Sequence, residues 1–310
     1  MLHFLPLDDA EIGNLLPSLR EVSIDDSPSR LLCSIRSDWE WIQGDQQLSR
    51  YLARTALDEN EHSKGVLPHV LIIGAPKSGT TSLLAYLRVF PELWRHPRKE
   101  LHYFDGRWQW GSEWYQMQFP SAERLDGRLV IEATPDYLQS PLAPERAAKL
   151  IPNAKLIILL REPLRRAVSA FEHRKRMIGA PLDASQTIAQ ELKDLERLSL
   201  EDLAHLGWRD PNCIAGSLYP YQIARWLRCY EEHQILMLRF EDLVLDPSAA
   251  CQRVAQFLGL SQKEIPPEVR ETLGQAWNVA PEPYPALSSH LAGTCRRSLL
   301  RDALLLWQNI

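Results

Sequence analysis

The sequence has no long apolar segment and no recognisable targeting signal. No uninterrupted apolar run approaches the roughly eighteen residues that a membrane-spanning helix needs. The N-terminal region carries Asp8, Asp9 and Glu11 and has no basic stretch before an apolar one, which predicts neither a signal peptide nor a membrane anchor. We therefore expect a cytoplasmic protein with no membrane partner.

The sequence also has no closely spaced pair of cysteines and no excess of positive charge. The sequence holds an odd number of cysteines without CxxC spacing, which favours reduced thiols and predicts no zinc site: Cys33, Cys213, Cys229, Cys251 and Cys295. The formal net charge of −5 argues against steering nucleic acid or a long polyanionic glycan, because such ligands call for a basic face. A small neutral or cationic substrate fits this charge better.

The length allows one sizeable folded domain with additions. At 310 residues, with 45% hydrophobic and 24% charged residues, the chain can bury a full core. Residues 1–66 are predicted as a separate helical extension, which either caps a pocket or packs against the main domain at 67–310. A helical insertion is predicted at about 179–215, and long excursions of this kind are often lids.

A glycine-bounded loop at 74–82 follows the apolar run at 70–73 and precedes a helical pattern at 83–87. A buried strand, a tight turn and a helix N-terminus together present backbone N–H groups to one anion. A nucleoside-triphosphate loop requires lysine directly after its second glycine, but here Thr80 follows Gly79 and the lysine is Lys77. The loop predicts a phosphate site that differs from that of a kinase.

A second strand-to-helix transition carries an arginine. The apolar run at 156–160 ends at Arg161, and Pro163 suits the first turn of the helix that follows and that carries Ser169. Ligands of parallel sheets bind outside the carboxyl ends of the strands, so Arg161 and the loop at 74–82 are expected to share one edge.

The segment 99–105 reads Lys-Glu-Leu-His-Tyr-Phe-Asp. Glu100 can act as a general base with Lys99 as its electrostatic partner, or it can be a solvated acid in a charged turn. His102 is the alternative base, because the imidazole pKa lies nearer to neutrality. Alternatively, the His102 side chain only packs beside Tyr103 and Phe104.

These three segments resemble the motifs of sulfotransferases that use 3′-phosphoadenosine 5′-phosphosulfate (PAPS), and the third is similar to that of heparan-sulfate-type carbohydrate sulfotransferases. The resemblance covers about residues 68–260. It implies that Glu100 is the catalytic base, with His102 as runner-up, and that Arg161 and Ser169 bind the 3′-phosphate. It also implies that the 5′-phosphosulfate is bound by Lys77, Ser78, Gly79, Thr80, Thr81 and Ser82.

Weaker parts of the resemblance lie downstream. It implies that Tyr219 and Ser217 line the nucleotide site and that Thr134 and Tyr137 lie where the acceptor channel meets the cofactor. The family usually closes over the 3′-phosphate with a late basic loop, for which Arg296 and Arg297 are candidates near 281–297. The final stretch has apolar residues at helical spacing, which predicts a packed helix.

The sequence thus predicts a three-layer α/β/α fold with a central parallel sheet, the P-loop-like fold of sulfotransferases, with strands at 69–73, 128–132, 155–160 and 235–240. The predicted function is sulfuryl transfer from PAPS, giving PAP, to a hydroxyl or amine of a small secondary metabolite or a carbohydrate. No metal is expected, because Lys77 and the helix dipole carry the charge that magnesium carries in kinases. A P-loop kinase or NTPase and a non-catalytic nucleotide-binding module are the alternatives.

Overall fold

The computed structural model describes residues 65–97, 99–179, 183–198, 212–263 and 299–310. Most of the predicted N-terminal extension at 1–66 lies outside these ranges. The predicted closing loop near 281–297, with Arg296 and Arg297, lies outside them too. The assignments made for these parts of the chain stay predictions.

Five parallel strands form one sheet, in the order β2-β3-β1-β4-β5. Four of them match the predicted strands within a residue or two, and the parallel α/β fold is confirmed. The fifth, β2, is an edge strand of only three residues and was not predicted. The strands are β1 Val70–Gly74, β2 Leu93–Arg95, β3 Leu129–Ala133, β4 Lys155–Leu160 and β5 Ile235–Arg239.

Helices connect the strands and cover both faces of the sheet. The first set precedes or follows β3: α1 Thr80–Tyr86, α2 Tyr103–Gly106, α3 Gly111–Gln116, α4 Ala122–Leu125 and α5 Ala143–Leu150. The second set follows β4: α6 Pro163–Ile178, α7 Ala184–Glu196, α8 Tyr219–Leu227, α9 Phe240–Leu245, α10 Pro247–Leu258 and α11 Leu299–Gln308.

Alternate residues of the central strands enter two separate hydrophobic cores. In β4, Leu156, Ile158 and Leu160 pack on one face of the sheet, and Ile157 and Leu159 pack on the other. All five are fully buried, because side chains of a strand point alternately to opposite faces and both faces are covered by helices. The predicted three layers follow from this arrangement.

A third core joins α6 to the region of the predicted insertion. Phe171 of α6, Ile188 of α7 and Ile214 are buried together, and Arg174 forms a 2.8 Å ion pair with Glu191. The helix predicted from Ser185 onward is present as α7. Its role as a lid stays a prediction.

The carboxyl ends of the strands gather at one edge of the sheet, because all strands are parallel. The loop after β1, Thr134 after β3 and Arg161 after β4 therefore lie at the same edge. The chain at Glu100 reaches this edge as well, where its backbone N–H donates to the carbonyl of Ala133 over 2.9 Å. The fold thus assembles the segments that the three motifs occupy.

A buried arginine next to this edge of the sheet leaves no room for a side chain at Gly216. The Arg166 guanidinium donates to Ser217 Oγ over 2.7 Å and to the carbonyl of Pro76 over 3.5 Å. A Cβ atom on Gly216 would lie 2.7 to 2.9 Å from three atoms of the guanidinium. Arg166 is only 2% exposed, so the group has little room to move.

We expect Gly216→Ala to lower the free energy of unfolding by about 1–3 kcal/mol, the usual cost of overpacking. Urea denaturation measures the change. Gly106→Ala is the matched control, because a Cβ atom there would meet only a His102 carbon at 3.8 Å. Equal stability of the two variants would contradict the packing argument.

Candidate active site

The loop between β1 and α1 turns sharply at two residues with positive φ. Lys77 has φ 70° and Gly79 has φ 85°. A Cβ atom on Gly79 would lie 2.7 Å from a ring carbon of Phe240, so both the backbone angle and the space favour glycine. Ser78, Thr80 and Ser82 are buried, and Thr81 is exposed. The predicted succession of strand, tight turn and helix is therefore present.

Positive charge is concentrated around Lys77. Burial lowers the pKa of Lys77, and the nearby cations Arg176, Lys99 and Arg161 lower it further, while Glu100 opposes them. Cations held this close repel one another, and a bound anion relieves that repulsion. The electrostatics of the loop therefore favour an anionic ligand.

Arg161 faces the same loop from the end of β4. Its guanidinium donates to the carbonyl of Lys77 over 3.4 Å and lies 4.7 Å from the centre of the Phe240 ring. Its buried Nε has no hydrogen-bond partner among the residues that the structure describes. Ser169, further along α6, has a partly exposed side chain. A phosphate would supply the acceptor that Arg161 Nε lacks.

Buried groups support Arg161 from behind. Tyr219 is fully buried, and its hydroxyl donates to the carbonyl of Arg161 over 2.8 Å. Ser217, also fully buried, donates to the carbonyl of Pro163 over 2.7 Å. Both hydroxyl groups thus bind backbone carbonyls at the end of β4 and the start of α6, and the direct contacts with nucleotide implied for Tyr219 and Ser217 stay predictions.

Glu241 is a further support that the sequence reasoning did not identify. One of its carboxylate oxygens accepts from the backbone N–H of Glu162 over 3.0 Å, and the other accepts from the Trp307 indole over 3.0 Å. Glu162 in turn caps α6, accepting from the N–H groups of Leu164 and Arg165. Helix α11 is thereby tied to the start of α6.

The segment predicted to carry the base has an unusual backbone. Glu100 has φ 66° and His102 has φ 52°, a region that residues other than glycine seldom adopt. The Glu100 side chain is 45% exposed, whereas that of His102 is 23% exposed. Strain of this kind is often kept at functional sites.

His102 is surrounded by carboxylates. Its Nδ1 lies 2.9 Å from Asp105 Oδ2, and its Nε2 lies 4.0 Å from Glu100 Oε2 and 3.9 Å from Asp136 Oδ2. Burial disfavours the charged imidazole, but the hydrogen bond and charge of Asp105 and the charge of Asp136 outweigh it, so that the pKa of His102 is raised. His102 can therefore hold a proton beside Glu100.

A buried carboxyl lies beneath this cluster. Thr134 Oγ1 donates to Glu132 Oε1, and Tyr115 donates to Glu132 Oε2 over 3.4 Å. Burial raises the pKa of Glu132 to about 7 and the pKa of Asp136 to about 6. The charge of His102 opposes both of these increases, so the protonation of His102 is linked to that of the two carboxyl groups.

Thr134 and Tyr137, which the resemblance places near the acceptor channel, hold the backbone of the segment that carries His102. Thr134 Oγ1 accepts from the backbone N–H of His102 over 3.4 Å, and the Tyr137 hydroxyl accepts from the backbone N–H of Tyr103 over 2.9 Å. Both side chains are fully buried. They fix the segment that carries His102, and their place in an acceptor channel stays a prediction.

Lys99 connects Glu100 with the loop at 74–82, which we call the anion loop. Its Nζ donates to Thr81 Oγ1 over 2.9 Å, to Thr80 Oγ1 over 3.2 Å and to Glu100 Oε1 over 3.0 Å. The pairing with Glu100 was expected, but the two threonine contacts were not. The structure therefore brings the loop, Lys99, Glu100 and Arg161 to one edge of the sheet.

Comparison with known proteins agrees with this geometry. Residues 67–277 match the family model described as a sulfotransferase domain. Human heparan sulfate glucosamine 3-O-sulfotransferase 3B1 is 32% identical over an alignment of 202 residues, and the match covers 63% of this chain and 47% of that protein. Mouse bifunctional heparan sulfate N-deacetylase/N-sulfotransferase 4 is 29% identical over an alignment of 209 residues, and the match covers 63% of this chain and 22% of that protein. The chain thus spans less than half the length of these two relatives.

A solved structure has a similar fold. The sulfotransferase from Alicyclobacillus acidocaldarius is 25% identical, with a TM-score of 0.55, and the match covers 78% of this chain and 99% of that one. Within the described ranges, no helix combines the length and apolar character needed to cross a bilayer. With the matched family model spanning more than half of the sequence, the chain belongs to the PAPS-dependent sulfotransferase family.

Proposed function

We propose that the protein transfers a sulfuryl group from PAPS to a hydroxyl or amine of a small-molecule or carbohydrate acceptor. The observation that carries this proposal is that Lys99 donates hydrogen bonds both to the anion loop and to Glu100. Sulfuryl transfer needs a base for the acceptor and cations for the leaving phosphate, and both are present within one small region.

The residues around the loop fit the donor PAPS. Lys77 and the hydroxyl and N–H groups of 78–82 would bind its 5′-phosphosulfate, and Arg161 with Ser169 would bind its 3′-phosphate. The buried Nε of Arg161, which lacks a partner among the described residues, supports this assignment. The bound donor supplies an activated sulfuryl group. Lys77 stabilises the charge that develops on the oxygen of the departing phosphate.

Glu100 accepts the proton of the acceptor group as that group attacks sulfur. Its 45% exposed side chain can reach a bound substrate, whereas His102 is mostly covered. The backbone hydrogen bond to Ala133 and the contact with Lys99 restrict the position of Glu100. His102, held by Asp105, supports the carboxylate from its other side.

The acceptor that we favour is a small neutral or cationic metabolite, modified in the cytoplasm. The net charge of −5 and the carboxylates of Glu100 and Asp136 beside the site favour it. The relatives named for heparan sulfate make a glycan the alternative. Incubation with PAPS and a panel of both acceptor classes, followed by mass spectrometry for one added sulfuryl group, distinguishes them.

Nucleotide binding tests the proposed donor directly. We expect PAP to bind at least tenfold more tightly than 5′-AMP, because charge-assisted contacts from Arg161 and Ser169 require a 3′-phosphate. Isothermal titration calorimetry measures both affinities. Adenosine 3′-phosphate is the matched control for a 3′-phosphate without the 5′ group. Equal affinities for PAP and 5′-AMP would contradict the assignment.

A further inference from the structure

Each backbone N–H group of residues 100–103 donates to a group at or just after the end of β3. The acceptors, in the order of the donors, are the carbonyl of Ala133, the carboxylate of Glu132, Oγ1 of Thr134 and the hydroxyl of Tyr137. The carboxylate is the one group among these four that can carry a charge. Hydrogen bonds to a charged acceptor are roughly twice as strong as those between neutral groups, so we expect Glu132 to hold this segment most firmly.

Three donors meet the Glu132 carboxylate in the interior of the protein. The Thr134 hydroxyl donates to Oε1, the Tyr115 hydroxyl donates to Oε2 over 3.4 Å, and the N–H of Leu101 donates to the same carboxylate. Glu132 is only 1% exposed, so a bond that is lost here is not readily replaced by a bond to water. An ionised carboxylate only accepts hydrogen bonds, whereas a protonated one also donates, and three donors therefore suit the ionised form.

Leu101 lies between two residues with positive φ, Glu100 and His102. Backbone angles of this kind are unfavourable for residues with a side chain and persist only where the surrounding structure holds them. We propose that ionised Glu132 is a positioning residue, which holds the peptide at Leu101 and thereby the orientation of Glu100. Protonation of Glu132 loosens this segment. The inference rests on the proposed sulfotransferase function, in which Glu100 is the base.

The charge state of Glu132 depends on opposing influences around it. Burial raises its pKa to about 7, and the hydrogen bonds from Thr134 and Leu101 act in the opposite direction. The titratable groups that face Glu132 are Tyr115 of α3, His102 and Asp105 around the start of α2, Tyr137 after β3, and His96, which follows the last ladder pair of β2 with β3. The carboxyl group is charged above its pKa, so the segment 100–103 should be held more firmly as the pH rises through neutrality.

Hydrogen exchange followed by NMR tests this role without any turnover. At one pH above neutrality, we expect the amide of Leu101 to exchange about tenfold or more faster in Glu132→Gln than in wild type, because the charged acceptor is lost. The amides of β4 and the affinity for PAP should stay within about threefold of wild type. Glu123→Gln is the matched control, because Glu123 is exposed on α4. An unchanged rate at Leu101 would overturn the proposal, and so would an equal increase in β4, which would reveal a general loss of stability.

The pH dependence of turnover gives the second measurement. We expect the kcat of wild type to fall on acidification with a midpoint near pH 7, whereas Glu132→Gln should lack this midpoint and have a kcat about tenfold or more lower above it. Thr134→Val should move the midpoint to higher pH, because it removes a donor to the charged carboxylate, and Thr134→Ser, which keeps the hydroxyl, should move it less.

A midpoint that is retained in Glu132→Gln would overturn the role of the ionised carboxylate. Wild-type protein that transfers no sulfuryl group would overturn the proposed function itself, while the exchange rate at Leu101 would still decide whether Glu132 holds the segment.

Discussion

Lys77→Ala is expected to lower kcat by on the order of 10²- to 10³-fold, the usual cost of removing one group that stabilises developing charge. The affinity for PAP should also fall about tenfold or more, since the same ammonium contacts the bound phosphate. Steady-state kinetics and calorimetry measure the two effects. Burial and then the charge of Arg176 lower the pKa of Lys77, so a bound phosphate would offset an environment that disfavours the ammonium group.

The control for this experiment is Lys149→Ala, in which an exposed lysine of α5 is lost. We expect a chelator to leave the turnover of wild type unchanged, because the proposed mechanism assigns to the cations of the site the role that magnesium has in kinases. Full activity of Lys77→Ala would contradict the assignment. Activity that chelation abolishes and magnesium restores would favour the kinase alternative.

Glu100→Gln is expected to reduce kcat by roughly 10²- to 10⁴-fold, the scale for loss of a general base, with little change in PAP affinity. Glutamine keeps the shape of the side chain and an oxygen that can accept from Lys99. His102→Asn should cost less, since the imidazole is only 23% exposed and acts beside the carboxylate. Single-turnover kinetics with the native acceptor measure the step directly.

The opposite order of effects would assign the base to His102. Asparagine at 102 can keep a hydrogen bond towards Asp105 and tolerates a positive φ, so its effect reports on proton transfer rather than on folding. A pH profile for each variant adds a second criterion. The variant that lacks the base should lose the limb of the pH–rate profile that the titration of this base produces in wild type.

The central strands and the motif-bearing loops could be predicted from the sequence, because β1 and β4 are apolar runs that end at Gly74 and before Arg161. Strand β2 could not, since three residues at a sheet edge carry too little periodicity. Pro163 indicated the start of α6 correctly, and Glu162 completes it with two capping hydrogen bonds.

The buried residues that hold the site in place contact segments that are distant in the sequence, and no local sequence pattern predicts such contacts. Glu132 is the single acidic residue of β3, which is otherwise apolar, and that unusual place is the one signal in the sequence for its role. The spacing of His102 and Asp105 could have suggested their pairing on one helical turn. Glu241 reaches Glu162 and Trp307 across 79 and 66 positions, respectively, so only the folded chain reveals it.

The positive φ values at the site lower the stability of the fold at residues that the proposed activity needs. In the described part of the chain, four residues other than glycine have positive φ, and Lys77, Glu100 and His102 are three of them. Each such residue costs about 1–2 kcal/mol relative to glycine or a relaxed backbone. Glycine or asparagine at these positions would ease folding while removing the groups that we propose for binding and catalysis, so selection of this chain for thermostability alone is expected to lower its activity.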